Sequence, residues 1–317
     1  MQCMEVWGGN QAVEQAVQMP GLDAWVYSRP YKGDVGGGDV HYLSSCATGR
    51  ITRLLVADVS GHGQGVSEVA VRLRDLMRRF VNYLDQTQFV SALNREFAGS
   101  AADGSFATAL VATYWAPTRY FVTSNAGHPR PFHYRAATGT WETLERASKA
   151  DALEPTNLPL GILEPTRYEQ FGVRIEPGDM VFVYTDSLVE ARAPDGSMLG
   201  EAGLRGMLDS LARVAPADLI GALLEKLQAF TAGAPLGDDV TALLLRESEQ
   251  VAERRGIGEA LHAFWLFSGL LLGKLAGSKA PIPWPEARLE NIGGAIVPRL
   301  SLRWGRAKRG TPGPTAG

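Results

Sequence analysis

The sequence predicts an α+β fold made of antiparallel strands and paired helices. Two apolar runs, 106–115 and 119–123, are separated by a short turn that contains a proline, which is typical of an antiparallel hairpin. Residues 66–84 carry apolar side chains at helical spacing, and two further helical segments follow one another at 204–213 and 217–230. Hairpins combined with helix pairs, instead of a regular alternation of strand and helix, indicate layers of sheet and helix.

The other predicted elements lie between and after these segments. A β-branched and leucine-rich run at 51–56 predicts a buried strand that ends before the glycine-rich turn 60–63. Apolar residues at every fourth position predict a second, shorter helix at 89–97. We expect 136–170, which contains several prolines, to be irregular. Apolar runs that follow turn residues predict the remaining strands, at 131–135, 180–184 and 240–245.

Composition divides the chain into three parts: a lead-in of residues 1–24, a domain of residues 25–248 and a C-terminal extension of residues 249–317. The extension is basic, with 10 Lys and Arg against 4 Asp and Glu after residue 250. Its apolar segment 260–276 predicts a helix that docks on the domain or a partner, lies in a membrane interface, or spans a membrane. The run is shorter than the ~20 residues that a spanning helix needs, which disfavours the last interpretation.

Charge and cysteine content exclude several classes of protein. The chain carries 31 Lys and Arg against 34 Asp and Glu, and a net charge of −3 gives no support to nucleic-acid binding. Two cysteines are too few for a disulfide framework, which favours a reducing compartment. The N-terminus shows no basic stretch followed by an apolar run, so we expect no secretory signal. These features predict a cytoplasmic protein, with peripheral membrane contact through 260–276 as an alternative, and leave the oligomeric state open.

Four aspartates, far apart in the sequence, each lie where a predicted strand meets a turn. They are Asp39 after three glycines, Asp58 after the strand at 51–56, Asp186 after the strand at 180–184, and Asp238 before the last strand. A single aspartate at such a boundary is usually a turn former that makes local hydrogen bonds. Strand ends of one sheet share an edge, however, so the four together predict a convergent acidic site.

Convergent carboxylates repel one another and are costly to bury, unless cations neutralise them. Divalent Mg²⁺ and Mn²⁺ favour oxygen ligands, and two such ions would balance the charge of four carboxylates. Few histidines and cysteines lie near these positions, which disfavours zinc. The glycines before Asp39 would let the backbone approach such a site closely.

Seven short motifs occur in the order in which a known family has them. They are Gly37-Gly38-Asp39, Asp58-Val59-Ser60-Gly61-His62-Gly63, Asn125-Ala126-Gly127-His128-Pro129, Leu158-Pro159-Leu160-Gly161, Pro177-Gly178-Asp179, Tyr184-Thr185-Asp186 and Gly237-Asp238-Asp239-Val240-Thr241. Through them, roughly residues 25–246 resemble the PPM-type (protein phosphatase 2C-like) metal-dependent serine/threonine phosphatases, and most of all their bacterial sporulation and stress-response branch. Each motif alone is weak, whereas seven in order at compatible spacing are specific.

The resemblance implies a four-layer α-β-β-α sandwich of two antiparallel sheets flanked by helices, with two Mn²⁺ or Mg²⁺ ions at one end. It implies that Asp58 bridges both metals, that the backbone carbonyl of Val59 binds one of them, and that Asp39 completes the shell of that metal directly or through water. Asp186 and Asp238 would hold the other ion. The water between the ions would attack phosphorus without a covalent phosphoenzyme.

Other residues of the motifs have less certain roles. His62 could assist protonation of the leaving seryl oxygen or hydrogen-bond the turn, and we expect a structural role for His128. Asp239 is an outer partner of the metal site or an exposed turn carboxylate, and Gly38 would lie beside the ligands. Ser187 also neighbours a ligand, where the family usually has glycine; if the position needs a positive φ, serine costs about 1 kcal/mol or more.

The function that the resemblance implies is hydrolysis of phosphoserine or phosphothreonine in a bacterial regulatory protein, such as an anti-sigma factor antagonist. The alternative is a catalytically weak or inactive regulatory module with the same fold, with membrane tethering as a further variant. Ser187 motivates this alternative, as does the absence of a second acidic residue shortly after Asp39. The chain also has no arginine at the position where eukaryotic relatives have one that binds the phosphate. Arg29 is a candidate for this role because it lies near the first motif in the sequence.

Overall fold

The computed structural model describes most of the predicted domain and the segment before it. The described residues are 3–19, 21–46, 50–60, 64–83, 85–99, 104–145 and 156–248. The predicted helix 260–276, the basic tail and His62 lie outside the described residues. Among the helices described, none has the length and apolar character that crossing a membrane requires.

The described elements alternate between runs of strands and pairs of helices. The strands are β1 (Cys3–Gly9), β2 (Val13–Met19), β3 (Leu22–Arg29), β4 (Asp39–Cys46), β5 (Ile51–Val59), β6 (Ala107–Trp115), β7 (Tyr120–Ala126), β8 (Phe132–Arg135), β9 (Thr140–Thr143), β10 (Phe171–Arg174), β11 (Met180–Tyr184) and β12 (Val240–Glu247). The helices are α1 (Gln64–Phe80), α2 (Gln86–Ala98), α3 (Gly200–Ser210) and α4 (Pro216–Phe230). The helices predicted from apolar spacing are therefore present, with ends that differ by a few residues.

Two antiparallel sheets stack between two pairs of helices. The first sheet has the strand order β1-β4-β5-β6-β7-β10, and the second has the order β2-β3-β12-β11-β8-β9. One apolar cluster joins the first sheet to α1 and α2, and another joins the second sheet to α3 and α4. A third cluster fills the space between the sheets. The expected four-layer α-β-β-α fold is thus confirmed.

The central strands of the first sheet are buried on both faces. In β5, Leu54 and Val56 belong to the cluster between the sheets, whereas Leu55 and Ala57 belong to the cluster under α1 and α2. Because successive side chains in a strand point to opposite faces, a strand covered on both sides reads as a continuous apolar run. This double burial is the reason why the run at 51–56 was recognisable in the sequence.

Residues 3–19 differ from the expectation of a lead-in before the domain. They form β1 and β2, which pair with β4 and β3 and so contribute one edge strand to each sheet. The sequence of β2 mixes three polar with four apolar residues, and only one of the seven is buried. An edge strand of this kind has little apolar periodicity, so its pairing depends on the neighbouring strand and not on a local pattern. Within 136–170, which we expected to be irregular, Thr140–Thr143 forms the short edge strand β9.

Helix ends follow the usual capping chemistry where the sequence provides it. The carboxylate of Asp85 accepts hydrogen bonds from the backbone N–H groups of Thr87 and Gln88 and caps the N-terminus of α2. Pro216 begins α4, where its missing N–H costs nothing. Both helices therefore begin at residues that favour a helix N-terminus.

Asp179 supports the turn before β11, and its replacement should destabilise the domain. Its buried carboxylate accepts hydrogen bonds from the backbone N–H of Ala136 (2.8 Å), the backbone N–H of Glu176 (3.1 Å) and Nε2 of His133 (3.1 Å). Because Asp179→Ala leaves these donors without their acceptor, we expect the free energy of unfolding to fall by about 2–4 kcal/mol. Urea denaturation followed by circular dichroism measures the change. Asp218→Ala, at an exposed aspartate of α4, is the control and should change stability by less than about 0.5 kcal/mol; equal effects would contradict the prediction.

Candidate functional site

The four predicted aspartates lie at one rim of the sandwich. Asp39 begins β4 and is paired directly with Asp58 near the end of β5. Asp186 follows β11, and Asp238 precedes β12 by two residues. Since β11 and β12 are antiparallel neighbours, the end of one strand and the beginning of the other lie at the same edge. Each sheet therefore supplies two of the four carboxylates.

A chain of polar contacts joins the two sheets at this rim. Oγ1 of Thr185, the residue after β11, donates a hydrogen bond to Oδ2 of Asp39 in the first sheet (2.8 Å). The same hydroxyl accepts a hydrogen bond from the backbone N–H of Thr241 in β12 (2.9 Å). The hydroxyls of Thr241 and Ser28 are also within hydrogen-bond distance, at 3.0 Å. Asp39 therefore faces the opposite sheet, and its carboxylate has a fixed orientation.

Burial and like charge act together on Asp58. Burial, as the largest cause, and nearby acidic groups together raise the pKa of the carboxyl from its ordinary value of 3.8 to about 7. The charged neighbours that contribute to this rise are Asp186, Asp238, Asp239 and Glu190. All four are acidic, and they belong to the second sheet or to its connections. The carboxylate of Asp58 is thus electrostatically coupled to the aspartates that lie across the gap between the sheets.

The neighbouring carboxyl groups are affected in the same direction. Burial, followed by the charge of Asp58, raises the pKa of Asp39 well above its ordinary value, although the threonine hydrogen bond opposes this. Burial also raises the pKa of Asp186, and the charges of Glu190 and Asp238 add to the shift. Removing these groups from water without a neutralising partner is costly, so the rim has the electrostatic character of a cation site.

The donor set fits hard divalent cations by its chemistry. All the predicted side-chain ligands are carboxylates, which Mg²⁺ and Mn²⁺ prefer. Across the described ranges, no group of three or more His, Cys, Asp or Glu side chains lies close enough to form a metal site as it stands. Like-charged carboxylates repel one another, so the ligand oxygens would have to turn toward an ion on binding. The residues that would hold metal remain Asp39, Asp58, Asp186, Asp238 and the carbonyl of Val59.

Asp239 is buried and anchors the glycine-rich loop, which excludes the alternative of an exposed turn carboxylate. Its carboxylate accepts hydrogen bonds from the backbone N–H groups of Tyr31 (2.5 Å), Gly38 (2.5 Å) and Asp39 (3.3 Å). A Cβ atom at Gly37 would overlap this carboxylate, so the loop can wrap around Asp239 only with glycine at that position. Asp239 therefore positions the backbone from which Asp39 projects.

Gly38 lies against the predicted carbonyl ligand. The backbone N–H of Val59 donates to the carbonyl oxygen of Gly38 (3.3 Å). A Cβ atom on Gly38 would come within 2.9 Å of the Val59 carbonyl oxygen and 2.8 Å of the side chain of Val66. Glycine is thus required here by close packing, and not by its backbone angles.

Ser187 occupies an unstrained position. It is buried in the 3-10 turn Asp186–Leu188, and its backbone does not enter the region of positive φ. The cost that a serine would incur at a position requiring positive φ therefore does not arise. The geometry around Asp186 is compatible with serine as the next residue.

His128 is a buried part of the scaffold close to Asp58. Its Nδ1 is 2.9 Å from Oγ1 of Thr108, the residue paired with Asp58 in the sheet. Asn125 closes the turn, since Oδ1 accepts from the His128 N–H (2.7 Å) and Nδ2 donates to the His128 carbonyl (2.8 Å). Burial lowers the pKa of His128 to about 3, so the ring stays neutral. These contacts fit the structural role expected for His128.

Two residues of this rim are absent from the site residues predicted from the sequence. Glu190 follows Asp186 by one turn, and its backbone N–H donates to the Asp186 carbonyl (2.9 Å), so spacing alone could have indicated it. Thr185 belongs to one of the seven motifs, but its contact with the first sheet depends on how the sheets stack, so the motif could not indicate that contact.

Arg29, the candidate for binding phosphate, is the last residue of β3. It lies opposite Val240 of β12, so its backbone is at the same end of the second sheet as Asp238. Its guanidinium lies over the ring of Tyr27 (5.9 Å).

Comparison with known proteins covers most of the described chain. The family model for stage II sporulation protein E (SpoIIE) matches residues 48–247. Over 238 residues the chain is 27% identical to the phosphoserine phosphatase RsbU of Bacillus subtilis, a match that covers 72% of this chain and 64% of RsbU. The chain thus spans less than two thirds of the length of that curated relative.

Several solved structures share the fold. The RsbU and RsbW domains of a Mycobacterium tuberculosis protein match with a TM-score of 0.61 and 23% identity, over 83% of this chain and 71% of that one. The SiaA-PP2C domain of Pseudomonas aeruginosa matches with a TM-score of 0.59 and 18% identity, over 71% of this chain and 85% of that one. The PP2C phosphatase domain of SpoIIE from Bacillus subtilis, solved with a fragment of its regulatory domain, matches with a TM-score of 0.61 and 15% identity. This match covers 75% of this chain and 71% of that one.

The loop around Asp239 should not tolerate a side chain at Gly37. In Gly37→Ala the new Cβ would displace the Asp239 carboxylate from its backbone donors, so we expect the free energy of unfolding to fall by about 2 kcal/mol or more. Gly65→Ala is the matched control, since a Cβ atom there meets nothing within 4 Å and alanine favours the helix by about 1 kcal/mol. Urea denaturation of both variants measures the difference, and equal stability of the two would disprove the overlap.

The raised pKa of Asp58 predicts that the metal-free protein loses stability as the pH rises. The folded state retains a proton that the unfolded state releases near its ordinary pKa, so stability falls between about pH 4 and pH 7. Asp58→Asn removes this group, and we expect a shallower fall and a gain on the order of 2 kcal/mol at pH 8.

Urea denaturation in EDTA at pH 4.5, 6 and 8 is the measurement. Asp218→Asn, remote from the rim, is the control and should follow the wild type. An unchanged pH dependence in Asp58→Asn would show that this carboxyl is not perturbed in the folded state.

Proposed function

Because this chain belongs to the stage II sporulation protein E (SpoIIE) family of PP2C-type phosphatase domains, we propose that it is a metal-dependent phosphatase acting on phosphoserine or phosphothreonine in proteins. The observation that carries the proposal is the electrostatic coupling of Asp58 to acidic residues of the second sheet at one rim. Partly or fully buried carboxylates whose pKa values are raised, as for Asp39, Asp58 and Asp186, suit a site that binds divalent cations.

The proposed cofactors are two Mn²⁺ or Mg²⁺ ions. Asp58 and the Val59 carbonyl would bind them from the first sheet together with Asp39, and Asp186 and Asp238 from the second. Ions held in this way lower the pKa of bound water and stabilise charge on a phosphoryl group. The protein contributes the oxygen ligands and the rigid rim that sets their positions.

The chain fixes these ligands through its backbone. Asp58 is paired with Asp39 on one side and with Thr108 on the other, so neighbouring strands hold its position from both sides. Thr185 fixes the orientation of the Asp39 carboxylate, and Asp239 fixes the loop that precedes it. Backbone positions that are fixed before the ions bind leave only side-chain rotations for the carboxylates to make on binding.

A cysteine nucleophile has no place at this rim. Asp39 is the first residue of β4 and Cys46 is the last. Cys3 lies opposite Cys46 in the register between β1 and β4, so both cysteines are at the far end of the strand. The two ends are seven residue steps apart along the extended strand, a distance of about 23 Å. This arrangement favours direct attack by water over a covalent cysteinyl-phosphate intermediate.

The proposed substrate is a phosphorylated bacterial regulatory protein, such as an anti-sigma factor antagonist. The similarity to the phosphoserine phosphatase RsbU supports this class of substrate. The second candidate function is a non-catalytic module of the same fold. The missing acidic residue shortly after Asp39 still motivates it, whereas the unstrained backbone of Ser187 removes the other motive.

A metal-titrated assay on the full chain tests the proposed activity. We expect hydrolysis of 4-nitrophenyl phosphate that depends on Mn²⁺ or Mg²⁺, and a fall in kcat of about a hundredfold or more in Asp58→Asn and in Asp186→Asn, because each loses a proposed metal ligand. Asp218→Asn is the matched control and should retain wild-type activity. Circular dichroism establishes that each variant is folded. A folded wild-type protein that is inert with both metals would favour the non-catalytic module.

A further inference from the structure

Large apolar side chains are exposed at few positions within the described ranges, and these positions share one rim. The exposed residues are Val35, Ile162, Leu163 and Met198, whose exposed fractions are 86%, 50%, 47% and 48%. Val35 lies in the loop that leads into β4, and Met198 lies in the hairpin that follows the 3-10 turn of Asp186. Both loops leave the strand ends that carry the carboxylates.

Ile162 and Leu163 belong to the same rim through a contact distant in sequence. Leu160 and Ala107 exchange two backbone hydrogen bonds, of 2.7 and 2.9 Å. Ala107 is the first residue of β6 and is paired with Val59 at the end of β5. Ile162 therefore follows by two residues the position, Leu160, that contacts the beginning of β6. That end of β6 lies beside Val59, whose carbonyl is a proposed metal ligand.

The loop that carries Ile162 and Leu163 is held in place from inside the domain. The buried Asn94 of α2 donates from Nδ2 to the carbonyl of Leu163 (2.9 Å) and accepts at Oδ1 from the N–H of Gly161 (2.8 Å). Oγ1 of Thr166 donates to the same Leu163 carbonyl (2.6 Å). A loop fixed in this way presents its apolar side chains in a defined position, so a partner that covers them pays little ordering entropy.

The hairpin that carries Met198 is also closed by its own backbone. The N–H of Ala193 donates to the carbonyl of Ser197 (2.9 Å), and the N–H of Leu199 donates to the carbonyl of Ala191 (2.9 Å). Single exposed apolar residues are common on protein surfaces and need no explanation. Here, however, the exposed residues lie on loops that are connected to strand ends of both sheets, at the rim that carries the carboxylates, which is the distribution expected of a binding surface.

We propose that Val35, Ile162, Leu163 and Met198 form an apolar rim that receives apolar side chains next to the phosphorylated residue of a protein substrate. This inference rests on the proposed function and narrows its substrate class. A small phosphoester that reached the carboxylates would leave these loops in water. A polypeptide that brings its phosphate to the same carboxylates must cross the loops, and its apolar side chains would then cover them.

Two labelled peptides separate this proposal from the proposed activity. Both contain the non-hydrolysable phosphonate analogue of phosphoserine; one has two leucines on each side of it, and the other has glycines there. Fluorescence anisotropy with the full chain and Mn²⁺ measures their Kd values. We expect the leucine peptide to bind about tenfold more tightly, because each half-exposed side chain that becomes covered contributes a several-fold gain.

Substitutions within the rim identify the surface responsible. Ile162→Ser combined with Leu163→Ser should reduce the preference for the leucine peptide to about twofold or less, whereas Ile162→Val combined with Leu163→Met should retain it, since the latter pair stays apolar. Met198→Ser, on the other sheet, is a second and independent variant that should also reduce the preference. Urea denaturation shows which variants are folded.

The outcomes distinguish the rim from the catalytic proposal. Equal binding of both peptides by the wild type, with hydrolysis of 4-nitrophenyl phosphate intact, overturns the rim and leaves the phosphatase activity standing. A leucine preference that the rim variants reduce, in a protein that does not hydrolyse the aryl phosphate, supports the rim and overturns the activity. Tighter binding of both peptides after the serine substitutions would mean that the chain itself or a second copy covers the rim, and this also overturns the proposal.

Discussion

The organising constraint of this structure is the gathering of like-charged carboxylates at one rim, where Asp39 is buried and Asp58 is half-buried. Asp39 and Asp58 are direct cross-strand neighbours, a pairing that destabilises a sheet when both groups are charged. Burial and the acidic groups of the second sheet raise the pKa of Asp58 to about 7. A sandwich of this size could have neutral residues at these positions, so the charge is a cost to folding that the proposed cation site would offset.

The acidic rim depends on both sheets at once. The first sheet supplies Asp39 and Asp58, and the second supplies Asp186 and the turn before β12. Thr185 connects the two through one hydrogen bond to Asp39. The stacking of the sheets therefore sets the distances between carboxylates, and the layers of helices outside them keep that stacking rigid. The loops that carry the exposed apolar residues are connected to the same strand ends. The two sheets therefore also position the surface that we propose binds the substrate.

How far the fold can be predicted from sequence follows from where each element is buried. β5 and β6 are covered on both faces, and each of the helices α1 to α4 has one apolar stripe. The pattern of apolar residues in these elements therefore shows which of their faces are buried. The edge strands β1, β2 and β9 were not predicted, because these short segments show no clear strand pattern and each pairs with only one neighbouring strand. Edge strands of this kind are specified by the partner strand, about which a local pattern has no information.

For the site, the sequence by itself determined the acidic residues at strand ends, the glycines beside them and the order of motifs through which the family is recognised. Tertiary structure alone decided that Asp39 lies opposite Asp58 and that Asp239 is buried against three backbone N–H groups. Those facts depend on the register between strands that are far apart in the chain and on the stacking of two sheets. Residue types at single positions carry the chemistry, whereas proximity arises only when the whole domain folds.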